Sequence, residues 1–105
     1  MPQPTDPILR RVTADLADLY GDRLEKVVLC GSRARGDARP NSDYDIAVFL
    51  TDYTDRFVEF ARLDPVQADL WEDAGILINP LIFRAADYTK PTGLMHNIRT
   101  EGILL

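Results

Sequence analysis

Two runs of β-forming residues, VVLC ending at Cys30 and IAVFL beginning at Ile46, flank the fifteen residues GSRARGDARPNSDYD from Gly31 to Asp45. A chain that joins two strands through a Gly-Ser turn and returns on Asp-x-Asp has few ways to fold. Successive strand side chains alternate between faces, so a strand over about 43–50 projects Asp43 and Asp45 the same way and Tyr44 the other. Two carboxylates at such positions repel each other unless a cation or solvent lies between them. Mg²⁺ suits the gap, since it takes oxygen ligands from one or two carboxylates together with substrate phosphates. Asp43 and Asp45 are therefore the candidate metal-binding and catalytic residues.

Upstream, Gly31 closes the run LEKVVLC and can take a backbone conformation that a residue with a Cβ avoids. Ser32 reads as the N-cap of a short helix SRARG, whose free N–H groups and positive dipole end favour a phosphate. Arg33 and Arg35 add positive charge there, in a chain whose formal net charge is -5. The alternative for both arginines is a surface position paired with Asp37. Gly31, Ser32, Arg33 and Arg35 form the candidate nucleotide-binding set.

The pattern Gly-Ser, ten residues, Asp-x-Asp, in the setting GSRARG…SDYDIAV, resembles the nucleotidyltransferase superfamily typified by DNA polymerase beta, and within it the minimal nucleotidyltransferases. The resemblance runs from the leading helix to the closing TEGILL. It implies a single α/β (α+β) domain over residues 1–105, with helices packed on a small mixed sheet. It also implies Mg²⁺, with ATP as substrate, and a partner HEPN ribonuclease toxin that the chain neutralises as an antitoxin by transferring AMP to a tyrosine hydroxyl. The superfamily usually carries a third carboxylate on a following strand. Here that strand reads ILINPLIF, and Asn79 is the nearest candidate for the position. An amide can orient a hydroxyl but cannot act as a base near neutral pH. A catalytically weak module that masks the toxin by binding alone is thus the alternative function.

The remaining chain predicts a helix capped by Thr5 or Asp6 with Ile8, Val12, Leu16 and Leu19 at helical spacing, and strand one over about 24–30. A helix over about 55–73 is interrupted near Pro65, with Asp64 marking a bend or break. Strand three spans about 76–83, at a sheet edge or bulge because of Pro80, and a last helix spans about 91–101. Trp71, Phe57 and Phe60 read as core or interface residues, His96 as a surface residue and Cys30 as a small hydrophobe without chemistry. An apolar end after Gly102 serves either the core or a homo- or hetero-oligomer contact. The acidic balance speaks against direct nucleic-acid binding. One cysteine excludes an internal disulfide, and with no long apolar span or signal segment the expected location is cytoplasmic, away from membranes.

Overall fold

Helix α1, Pro7–Tyr20, begins at a carboxylate that does two jobs. Asp6 Oδ1 accepts from Ile8 N at 2.8 Å, capping the helix, and Asp6 Oδ2 accepts from the Tyr44 hydroxyl at 2.6 Å. The computed structural model describes residues 6–105, so Thr5, the other candidate cap, lies outside the described residues. The buried stripe of α1 is Leu9, Val12, Leu16 and Tyr20, with Ile8 and Leu19 flanking it partly buried. The apolar face is thus turned slightly from the one that the spacing predicts.

Strand β1, Leu24–Cys30, leads into the short helix α2, Gly31–Arg35, and β2 spans Tyr44–Leu50. Two helices come next, α3 at Arg56–Arg62 and α4 at Asp64–Ala74, then β3, Ile78–Arg84. Helix α5, Gly93–Glu101, and a two-residue strand β4, Ile103–Leu104, complete the order. The sheet runs β3-β2-β1-β4. β1 is antiparallel to β2 and β4, and β2 is parallel to β3 through the α3–α4 crossover. This is a mixed sheet with helices packed on it, as the sequence predicts.

Both faces of the sheet are covered, which explains why IAVFL is continuously apolar. Ile46, Val48 and Leu50 pack toward α1, Leu63 and Leu70, whereas Ala47 and Phe49 pack toward Met95 and Ile98 of α5. All five residues are fully buried.

Four boundaries differ from expectation. The 55–73 helix divides at the fully buried Leu63, one residue before Asp64, with Pro65 in the first turn of α4. β3 starts two residues late because Gly75, at φ 64°, ends α4 and the chain must first cross to the sheet edge. α5 starts at Gly93, capped by Thr92, whose Oγ1 accepts from Met95 N at 3.1 Å. The apolar end becomes β4, with Ile103 and Leu105 against the core and Leu104 44% exposed. Phe60 packs on the core, but Phe57 and Trp71 are surface residues, and so is His96. No helix among the described residues is long and apolar enough to cross a membrane.

Tyr44 lies beneath this framework, buried at the start of β2. Burial first, and then the hydrogen bond to Asp6, push its phenol up from 10.0 to about 12. A raised folded-state value means that the stabilisation is complete below pH 10 and is lost as the pH climbs through about 12. Denaturant titrations across that window should show wild-type stability falling. Tyr44→Phe should flatten the decline and cost about 1 kcal/mol near neutrality.

Candidate active site

The ladder between β1 and β2 ends at the pair Cys30–Asp45, and the next residue of the chain, Gly31, turns out of the sheet into α2. Asp45 therefore stands directly over the turn. Gly31 has φ 68°, and a Cβ there would collide with Asp45 Oδ2. Glycine is required twice, for the backbone conformation and for the room that the carboxylate occupies. On the other side Asp45 is paired in parallel register with Asn79, whose Nδ2 donates to Asp45 Oδ1 at 3.1 Å. The residue at the third position is thus adjacent to the carboxylate, as a third acid would be, and it contributes an amide.

Asp43 is outside the strand in which the sequence predicts it. The β1 ladder has already ended, pairing with β3 starts at Tyr44–Ile78, and Tyr44 N donates to Leu77 O at 3.2 Å, so residue 43 has no neighbour to pair with. Asp43 is exposed, and among the described residues no hydrogen bond or ion pair engages its carboxylate. Its position is set by the preceding loop. Arg33 Nε and Nη2 donate to Ser42 O at 3.1 and 2.8 Å, and Nη2 also reaches Pro40 O at 3.3 Å. The guanidinium carbon lies 3.9 Å from the centroid of the Tyr44 ring. Ser42 Oγ closes the turn by accepting from Arg39 N at 2.9 Å.

Among the predicted nucleotide-binding residues, Gly31 and Ser32 share the first turn of α2, but the N-cap is Cys30, and Ser32 lies inside the helix. That corrects the capping role. Glycine at 31 can already take helical hydrogen bonding after its left-handed φ, which moves the helix start one residue upstream. Arg33 faces the carbonyls of the loop. Arg35 is half exposed, 3.4 Å from Asp37 and 3.9 Å from Glu101, contacts that solvent screens. Cys30, Gly31, Arg35, Leu81, Ile98 and Glu101 contribute to the lining of a cleft of about 160 Å³ between α2 and α5. Burial, chiefly, pushes the Cys30 thiol up, so it is held as a neutral, unreactive group.

Asp43 and Asp45 supply hard oxygen donors of the kind Mg²⁺ takes. No group of three His, Cys, Asp or Glu side chains gathers among the described residues, so the pair would need phosphate oxygens and water to complete the shell. The missing Cβ of Gly31 gives Asp45 Oδ2 its place at the mouth of that shell. The donor set fits a cation that arrives with a nucleotide. Sequence reasoning missed Asp6 and Tyr44 as supports of this corner. Their link spans 38 residues and carries no local signal.

The family described as polymerase beta, nucleotidyltransferase matches residues 15–105. A Methanocaldococcus jannaschii protein named "Putative protein adenylyltransferase MJ0141" is 25% identical over 96 residues, 91% of this chain and 93% of that one. A toxin-antitoxin crystal structure with AMP-PNP aligns at TM-score 0.63 and 22% identity, covering 90% of this chain and 69% of that chain. A mutant of the toxin-antitoxin MntA-HpeT aligns at 0.60 and 20%, covering 89% and 68%. A Shewanella oneidensis structure aligns at 0.58 and 18%, covering 95% and 71%. These structural likenesses establish the shared fold.

Gly31→Ala tests the contact at the centre of the site. The substitution should cost about 1–3 kcal/mol in chemical denaturation through the strained backbone. It should also displace the Asp45 side chain, seen as shifted Asp45 and Asn79 resonances in NMR spectra whose core methyl signals stay in place.

Proposed function

The chain belongs to the polymerase beta nucleotidyltransferase family, and on that premise we propose that it transfers AMP from Mg-ATP to a hydroxyl, that of a tyrosine, on a partner HEPN ribonuclease toxin, acting as its antitoxin. The observation that carries this reading is the contact of Asp45 with Gly31, which sets a carboxylate against the turn where phosphates would lie. The protein adenylyltransferase name of the Methanocaldococcus jannaschii relative and the toxin-antitoxin structures of like fold support the choice of acceptor class.

In this reading the β- and γ-phosphates lie against Gly31 and Ser32, with Arg35 able to reach them, and Asp43 and Asp45 hold the cation. Bound there, Mg²⁺ would neutralise phosphate charge as it shifts onto the leaving group. The acceptor oxygen attacks the α-phosphorus in line. A new O–P bond forms, the bridge between the α- and β-phosphates breaks, and pyrophosphate departs with the electron pair. The proton of the attacking hydroxyl passes to water, since Asn79 has no basic site. Asn79 keeps Asp45 oriented instead, through its 3.1 Å hydrogen bond. Lack of a positioned base costs about 10²–10⁴ in rate, which slows a transferase without silencing it.

Asn79 in the place of an acid is also the observation that favours a second reading, neutralisation of the toxin by masking alone. Intact-mass analysis of the partner after incubation with this protein, Mg²⁺ and ATP separates the two. The transferase adds one AMP, and Asp43→Asn, at an exposed residue, abolishes the addition with the fold intact. Transfer unchanged in Asp43→Asn would refute the site assignment. Neutralisation that survives Asp43→Ala with Asp45→Ala, without any mass gain in the wild type, would establish masking.

A further inference from the structure

On the side of Asp43 away from the phosphate turn lies a hollow of about 250 Å³, whose walls include Pro40, Asp43, Trp71, Ile76 and Leu77. It shares no lining residue with the cleft that contains Gly31 and Arg35. We propose that this hollow is the acceptor subsite, receiving an aromatic side chain of the partner protein so that its hydroxyl meets Asp43. The proposal rests on the transfer reading and names residues for a step which that reading leaves without any.

Three observations converge on an aromatic hydroxyl as the occupant. First, Trp71 is 57% exposed and Leu77 48% exposed, and both border the hollow, an apolar surface held open where α4 ends and β3 is about to begin. A flat ring can cover such a surface and stack on the indole. Second, the charge is selective. Asp43 is the only ionisable residue in the lining and there is no cation, so the hollow repels a polyphosphate while a carboxylate oxygen can accept from a hydroxyl. Third, in-line displacement places the nucleophile opposite the leaving group. With pyrophosphate departing toward Gly31, the acceptor must arrive from the side where this hollow lies. The wall is pre-formed, because the Arg33 guanidinium holds the carbonyls of Pro40 and Ser42 that frame it.

Trp71 is the chain's sole tryptophan, so its emission reports on the hollow directly. The protein is titrated with N-acetyl-tyrosinamide and, separately, with a non-hydrolysable ATP analogue and Mg²⁺, with indole excited selectively. Emission should change with the phenol and stay constant with the nucleotide. The variant Leu77→Ala, at an exposed position, should weaken the phenol response about tenfold. A change caused by the nucleotide would assign the hollow to the base and overturn the proposal, as would silence toward the phenol up to its solubility or a response indifferent to Leu77→Ala. Calorimetry with the same nucleotide keeps the two readings apart. No nucleotide binding there would sink the transfer reading, while the tyrosinamide titration would still decide whether the hollow accepts a phenol.

Discussion

The pairing of Cys30 with Asp45 is the constraint on which the site depends. It is the last rung between β1 and β2, and it brings a carboxylate over the residue where the chain leaves the sheet. The apolar run of β2 holds this rung in register. Ile46 to Leu50 are fully buried on two opposite faces, and a slip of one residue would exchange those faces and turn every one of them against the wrong neighbours. The position of one polar side chain is thereby enforced by five apolar ones. Gly31 then decides whether that position is sterically possible, since any Cβ would take the space of Asp45 Oδ2.

A second layer of support runs beneath the first. Asp6 caps α1 and accepts from Tyr44, the Tyr44 ring lies under Arg33, and Arg33 holds the carbonyls of the loop that delivers Asp43. Each link satisfies a polar group that would otherwise face an apolar or crowded surface. The two arginines of the motif therefore act differently. Arg33 works on the protein's own backbone, and Arg35, with only distant carboxylates beside it, remains the cation able to turn toward an anion. Elsewhere in the fold, Glu59 is buried with Oε2 3.0 Å from Arg23 and Oε1 3.5 Å from Arg62, an ion cluster that anchors α3 to the turn after α1.

Much of this was legible in the sequence because it is written in local signals. Gly31 before a helix, Asp45 two residues after Asp43, Asn79 in an uncharged third strand and Pro80 at an edge each follow from residue type and period. Features set by long-range partners were not. Asp43 leaves the strand because β1 has already turned away, which no pattern around Asp43 states. Trp71 and Phe57 carry the composition of core residues, yet the helical segment from α3 to α4 buries Leu63 and Leu70 instead. β4 has only two residues and exists through its pairing with Val28 and Leu29, far away in the chain. Arg33 was read by its charge, while its geometry is that of a clamp.

The order of the sheet has one more consequence, for how this molecule meets others. One edge, β3, contains Pro80, which removes a backbone donor, and the other, β4, is only two residues long. Neither offers the long row of free N–H and C=O groups on which a foreign strand could template. Copies of the chain are thus protected against joining edge to edge into growing sheets. A partner protein must recognise side chains and surface shape, and its contacts can be separated cleanly from the backbone ladder that holds the fold.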